Sequence, residues 1–232
     1  MPPLGLPHLH LRTADSTNTL ARELAEAGAP HGTLVTADSQ IAGRGRQGRV
    51  WEAPPGHSLI CSIVLHNPPQ LLPLAAGVAV AETVKSITGE SQLKWPNDVL
   101  VNGRKVAGIL AEGRPAEGWA VVGIGINVAV KPGQLPPEVE AIATSLGLEP
   151  GDIQSVLTRL LSELELRVNQ RDGELLDAFR ELDALFGRQI SWSGGSGIGA
   201  GIDGTGRLIV DGGDGVRHSL SAGEIHIGHR PV

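Results

Sequence analysis

Aromatic side chains are scarce in this chain: there is no tyrosine, and there are only two phenylalanines and four tryptophans among 232 residues. A surface that holds nucleic acid needs aromatics for base stacking and a broad supply of cations. Four lysines, fifteen arginines and a net charge of −6 supply neither, so no nucleic-acid partner is expected, and attraction to an anionic membrane surface is not expected either. The one cysteine, Cys61, lies in the apolar run SLICSIVL and has no internal partner for a disulfide. It reads as a buried strand residue in a reducing compartment. No segment approaches the roughly 18–20 apolar residues of a membrane span, and the opening MPPLGLPHLHLRTAD lacks the basic region of a signal peptide. A cytoplasmic protein without a membrane partner is the expectation. Histidines occur in the pairs His8/His10 and His226/His229, but no cysteine or carboxylate completes a ligand set around either pair. They read as solvated side chains rather than a metal site.

What is present divides the chain in two. DSTNTLARELAEAG (15–28) predicts a helix capped by Ser16 or Thr17 and stopped at Gly28. GTLVTAD (32–38) and HSLICSIVLH (57–66) predict strands, residues 73–88 a helix, 93–113 a hairpin turning at Asn102-Gly103, and 119–130 a buried strand. Apolar residues at helical spacing predict helices over 152–168 and 175–186. From Gly187 onward, glycine-rich turns separate short strands, a length suited to a small β-barrel. The expected division is a domain over 1–186 and a second over 187–232.

Residues 43–49, GRGRQGR, crowd three arginines and three glycines together. Glycine permits close backbone approach and positive φ, and arginine brings a forked, permanent cation suited to carboxylate and phosphate. The run formally matches the dinucleotide fingerprint G-x-G-x-x-G, but that motif must open a helix. Here RVWEAPPG follows, which cannot be helical. GAGIDG (199–204) matches the same pattern within a predicted hairpin, so the pattern alone carries little. Like charges this close repel unless an anion joins them; the expectation is an anion-binding loop that is mobile when empty and orders on its ligand.

In the 93–113 hairpin, a two-residue turn pairs Val101 with Arg104, Leu100 with Lys105 and Asp98 with Ala107. Alternation then puts Lys105, Leu100 and Asp98 on one face. A cation and a carboxylate projecting together suit an anionic substrate with a metal-bound phosphate, or form an ordinary surface ion pair. Geometry alone leaves both open.

Ser16-Thr17-Asn18, Gln40 followed by GRGRQGR and Trp51, KWPND (94–98), GRKVAGIL (103–110) and GIGINV (123–128) resemble, in order and spacing, the biotin protein ligases. The tail GIDGTGRLIVDGGDGVRHSLSAGEIHI is similar to that family's small C-terminal SH3-like barrel. The resemblance implies an α+β fold, a class II synthetase-like mixed sheet flanked by helices and followed by the barrel. It implies adenylation then transfer: ATP and biotin give biotinyl-5′-AMP and pyrophosphate, and a lysine of a biotin carboxyl carrier domain displaces AMP. Mg²⁺ accompanies the ATP.

Carried over position by position, the resemblance puts Ser16, Thr17, Asn18, Gln40, Arg44, Gly45, Arg46, Lys105 and Gly108 at biotin. It puts Arg46, Arg49, Trp51, Lys94, Asn97, Asp98, Lys105 and Asn127 at ATP or the adenylate, with Asp98 toward the metal. Lys105 and Arg46 are the implied catalytic pair, Lys105 bridging the biotin carboxyl and the α-phosphate. The first motif begins at Asp15, which implies a monofunctional ligase without the DNA-binding domain of regulatory members; a homodimer stays open. Lipoate ligases are the nearest rival, and the intact GRGRQGR and KWPND favour biotin. A module that only sequesters its ligand would not need Lys105.

Overall fold

The computed structural model describes residues 3–228 and folds them around two sheets. In chain order, β1 (His8–Ala14), α1 (Thr17–Glu26), β2 (Leu34–Gln40), β3 (Ser58–His66), α2 (Leu72–Thr88), β4 (Gln92–Lys94), β5 (Asp98–Val101), β6 (Arg104–Arg114) and β7 (Trp119–Asn127) come first. A short α3 (Pro137–Glu140) and the longer α4 (Ile153–Val168) and α5 (Asp172–Leu182) follow, then β8 (Gln189–Trp192), β9 (Gly195–Ile202), β10 (Leu208–Gly212), β11 (Arg217–Leu220) and β12 (His226–Ile227). The seven-stranded sheet has the order β1-β2-β3-β7-β6-β5-β4, and the five-stranded sheet the order β11-β10-β9-β8-β12. The first is mixed, because β1 pairs parallel to β2 while its other ladders are antiparallel.

The expected helices and strands form, with ends shifted by a few residues. Strand β1 was not expected: HLHLRTA pairs parallel to β2 across the α1 crossover, and a parallel partner leaves no turn signal between the strands. Ser16 is the residue that caps α1, with extended φ/ψ and its hydroxyl accepting from the Thr19 amide at 3.5 Å. Gly89 ends α2 in the left-handed conformation, its amide bonding the Lys85 carbonyl.

The two faces of the larger sheet differ in what covers them. On one, α2, apolar nearly all round, lies with α4 and α5 against Leu59, Ile63, Val122, Ile124 and Ile126, and this core runs on into Ile190, Ile202, Leu208 and Val210 of the smaller sheet. On the other face α1 covers only one end, setting Ala21 and Ala25 against Val35, Val64 and Val121. The rest of that face is left for the cavity described below. The smaller sheet is held to the larger by apolar burial and by specific contacts: Trp95 Nε1 donates to the Gly206 carbonyl at 3.0 Å, and Gly206 sits against Leu71 and Leu74 of the turn into α2. Among the described residues no helix is long and apolar enough to cross a membrane, and no cluster of three metal-ligating side chains occurs. His8 and His10 both bond the Thr36 hydroxyl; His229 lies outside the described residues.

The hairpin register differs from the expected one. Asn102 and Gly103, at φ 51° and 72°, form the turn, and Val101–Arg104 and Leu100–Lys105 pair as expected. Beyond that point Val99 faces Ala107 and Asp98 faces Gly108, so β6 carries one extra residue, Val106, a β-bulge. A pattern of alternation does not reveal where a strand inserts a residue. Leu100 is buried, whereas Asp98 and Lys105 stay partly exposed.

Leu160, fully buried on α4 within the core shared with α2, tests the packing. Leu160→Ala should cost about 2–5 kcal/mol, read as a lower urea midpoint at unchanged slope; a loss within error of zero would contradict this packing.

Candidate functional site

The uncovered part of the larger sheet has an almost bare floor. Ser62, Gly123 and Leu110 lie side by side across β3, β7 and β6, as do Ile60, Gly125 and Gly108 in the next row. A β-carbon at Gly123 would collide with Asn18 Oδ1, one at Gly125 with the Trp51 indole, and one at Gly108 would lie 3.1 Å from Trp51 Cζ3 and 3.3 Å from Lys105 Nζ. The glycines of GIGIN therefore let side chains from other elements lie flat on backbone, the close approach that glycine in a strand interior signals. All of Gly108, Gly123 and Gly125 line one cavity with Ser16, Thr17, Asn18 and Gln40 at one side and the glycine-arginine loop and the 94–98 turn at the other.

The first turn of α1 supplies the polar side. Thr17 donates to Gln40 Oε1 from its amide at 2.7 Å and from its hydroxyl at 3.1 Å. Ser62, on the floor, reaches both Thr17 Oγ1 at 2.9 Å and Asn18 Oδ1 at 3.0 Å. Asn18 Nδ2 donates to Glu112 Oε2 at 2.7 Å. With the Gln40 oxygen committed to Thr17, the group Gln40 has left to offer is its NH₂.

The glycine-arginine loop is a small hairpin. Arg44 bridges Val50, the Gly45 amide bonds the Arg49 carbonyl at 2.8 Å, and the Trp51 amide bonds the Gly43 carbonyl at 3.2 Å. A side chain at Gly43 would strike the Trp51 carbonyl, and Gly48 sits at φ 75° in the turn. From this hairpin Arg44 pairs with Glu112 at 3.1 Å and Arg49 with Glu224 of the C-terminal segment at 3.2 Å. Lys105 Nζ lies 2.6 Å from Asp98 Oδ1 and 5.6 Å from the centre of the Trp51 ring. So three of five cavity cations have carboxylate partners. Arg46 and Lys94 have none within ion-pair distance among the described residues, and burial lowers the pKa of each, against the opposing pull of Asp98. Nearby like charges, Arg49 for Arg46 and Lys105 with Arg49 for Lys94, lower them further. Trp51 Nε1 is buried without a hydrogen-bond partner among the described residues.

Thus Ser16, Thr17, Asn18, Gln40, Arg44, Gly45, Arg46, Arg49, Trp51, Lys94, Asn97, Asp98, Lys105 and Gly108 meet in one cavity. Asn127 stands apart from it. It is buried, accepts from Ser58 at 3.4 Å and donates to the Thr144 carbonyl at 3.0 Å, tying β7 to the loop before α4. Asn97 Nδ2 likewise braces the Ile109 carbonyl at 3.0 Å. Sequence reasoning passed over Ser62, Glu112, Gly123, Gly125 and Glu224. The alternating glycines of GIGIN were a legible signal of close approach; the two glutamates carried none, because only the fold brings them to the arginines. Cys61 is fully buried and its thiol is pushed up to about 12 by burial, so it is an inert core group.

Two joined sheets with one cationic cleft, polar at one end, define a protein built to hold a ligand with an anionic part. Residues 10–129 match the biotin/lipoate A/B protein ligase family, and residues 196–228 match the biotin protein ligase C terminal domain. The chain belongs to the biotin/lipoate A/B protein ligase family. It is 39% identical to the biotin–[acetyl-CoA-carboxylase] ligase of Mycobacterium tuberculosis over 232 aligned residues, which cover 90% of this chain and 85% of that one. The biotin protein ligase of Aquifex aeolicus, solved in complex with biotin and ATP, matches with a TM-score of 0.80 at 28% identity, covering 96% of this chain and 99% of that one. The bifunctional ligase/repressor BirA of Bacillus subtilis is 44% identical over 147 residues, and the chain spans about half the length of such Bacillus relatives, 45% and 49%. The fold is accordingly α+β, a class II synthetase-like sheet followed by an SH3-like domain.

Gly125→Ala tests the floor. Its β-carbon should expel the Trp51 indole, raising acrylamide quenching of tryptophan fluorescence at unchanged far-ultraviolet circular dichroism. The change should vanish in a Trp51→Phe background; persistence there would place the effect elsewhere.

Proposed function

We propose that this chain is a biotin protein ligase, forming biotinyl-5′-AMP from biotin and ATP and passing the biotinyl group to a lysine of a carboxylase's carrier domain. The observation that carries the reading is the charge layout of the cavity: polar partners at the α1 end, and at the other Arg46 and Lys94, without carboxylate partners among the described residues, beside the Lys105–Asp98 pair. A bicyclic urea with a carboxylate tail needs donors and acceptors at its ring, and Ser16, Thr17, Asn18 and the Gln40 NH₂ offer them. The carboxylate and the triphosphate repel each other, so their approach needs fixed cations in a site shielded from water.

In the first step a biotin carboxylate oxygen bonds to the α-phosphorus of ATP while the bond from that phosphorus to the pyrophosphate oxygen breaks. Lys105, on the bulged hairpin, neutralises charge shared between carboxylate and α-phosphate; Arg46, from the lid hairpin, covers the same region. In the second step the amine of the acceptor lysine bonds to the acyl carbon, AMP leaves, and the amine proton passes to solvent or to the leaving phosphate. Gly45 and Gly108 give the ligand close access to backbone, while Arg49, Trp51 and Lys94 border the nucleotide. Asp98 is one carboxylate where no three-ligand cage exists among the described residues, which suits the mode in which Mg²⁺ is held by one carboxylate and substrate phosphates. Bound there, Mg²⁺ would screen phosphate charge. We take 1–186 as the ligase domain and 187–232 as the barrel, working in the cytoplasm, in keeping with the buried, unpaired Cys61.

The decisive measurement is pyrophosphate release with ATP and biotin, lipoate or octanoate in parallel. Biotin should support it and Lys105→Ala should reduce it about a hundredfold or more, the scale of losing one fixed charge stabiliser. Release with lipoate but not biotin, or full release by a folded Lys105→Ala variant, would sink the reading. A pH profile adds a second check. Because burial lowers the Lys94 pKa, its charge is lost at a pH below the ordinary 10.5, and an anion that favours the charged form binds more weakly as pH rises through that lowered value. ATP affinity should therefore fall on the alkaline side in the wild type, and Lys94→Arg, charged throughout, should move that fall to higher pH. Superimposable profiles would remove Lys94 from the phosphate site.

A further inference from the structure

Glu112 touches two parts of the site that belong to different elements. Its Oε2 accepts from Asn18 Nδ2 at 2.7 Å, and its two oxygens receive Arg44 at 3.1 and 3.3 Å. Asn18 stands in the first turn of α1, Arg44 in the lid hairpin, and Glu112 on β6, 68 residues from the arginine and 94 from the asparagine. The Glu112 side chain is about three-quarters buried, at 24% exposure, and it meets Asn18 on the buried side and the more exposed Arg44 on the other.

We propose that Glu112 is a positioning residue that couples lid closure to the orientation of the Asn18 carboxamide. The inference rests on the reading that Asn18 serves the ring end of biotin. An ionised carboxylate only accepts hydrogen bonds, so it admits one orientation of the amide: Nδ2 toward Glu112 and Oδ1 toward Ser62, over the bare backbone of Gly123. Any side chain at 123 would collide with that oxygen, so the floor is shaped for this one rotamer. The same carboxylate is the only ion-pair partner of Arg44 among the described residues. When the lid is closed, Arg44 holds Glu112 in place and Glu112 holds the amide. When the lid opens, the carboxylate loses the bidentate partner that fixes its position, and its hold on the Asn18 amide loosens. A closed lid and a correctly presented amide are thus one state, and a ligand that binds the amide favours the closed lid by the same free energy.

Glu112→Gln keeps the shape but removes the charge and adds a donor facing Arg44. It should weaken biotin binding about tenfold or more, the worth of a hydrogen bond to a charged group, and should speed the escape of biotinyl-5′-AMP by a similar factor. The rate of pyrophosphate release at saturating substrates should fall less, since Lys105 and Asp98 are untouched; a purely structural role would lower the melting temperature without this split. Glu112→Asp, which keeps the charge on a shorter arm, should recover part of the affinity. Arg44→Ala sits on the lid surface and removes nothing from the core. It should weaken biotin binding by itself, and combining it with Glu112→Gln should add nothing further to adenylate escape. Calorimetry with biotin and stopped-flow release of the adenylate read all four. Wild-type affinity in Arg44→Ala overturns the coupling even if Glu112→Gln misfolds, as does strict additivity of the two substitutions on escape. A wild-type protein that neither binds biotin nor releases pyrophosphate with it would instead overturn the ligase reading and leave this inference without its ligand.

Discussion

Five cations converge on one partly buried cavity, and the carboxylates within reach satisfy three of them. Arg44, Arg49 and Lys105 find Glu112, Glu224 and Asp98; Arg46 and Lys94 find none among the described residues. Burial disfavours charge on both of these, and the neighbouring cations disfavour it further. An anion placed among these cations would relieve their mutual repulsion. The other features of the site hold these like charges close together while leaving Arg46 and Lys94 without a carboxylate partner among the described residues.

The sheet does this by withholding side chains. A central strand normally presents a side chain every second residue to each face. On the cavity face of β6 and β7, three of those positions are glycine, so the Trp51 ring and the Asn18 amide rest directly on backbone. The bulge at Val106 shifts β6 by one residue against β5 and places Asp98 opposite Gly108, where the Lys105 amine also lies. Without that extra residue Asp98 would face Ala107. The opposite face of the same strands is ordinary apolar core under α2, and its rigidity is what makes the bare face usable.

Much of this was legible in the sequence, and the illegible parts have a common cause. Local signals fared well: Asn102-Gly103 for the turn, Gly28 past the end of α1, and the apolar spacing of α4 all depend on neighbours in the chain. The glycine-arginine run was readable as a cluster of cations on a loop because its composition is extreme, and it lines the cavity as a small hairpin. What could not be read were relations between distant segments. β1 needs β2 across a helix, Glu112 needs Arg44, and Glu224 needs Arg49 from the far end of the chain. Asn127, which motif position puts at the nucleotide, lies outside the cavity lining, and its amide joins Ser58 to Thr144.

The two lid arginines clarify how the parts act together. Arg44 is tied to β6 through Glu112, and Arg49 to the segment between β11 and β12 through Glu224, so the hairpin has one anchor on the larger sheet and one on the C-terminal segment. Neither pair is deeply buried, with Arg44 at 41% and Arg49 at 56% exposure, and exposed ion pairs are worth about 0–1 kcal/mol each. These two anchors are side-chain ion pairs, whereas the floor beneath them is held by the backbone ladders of β3, β7 and β6. Arg46, between the anchors, has no carboxylate partner among the described residues. An anion bound there would add a third attachment at the centre of the hairpin, between the two flanking ion pairs.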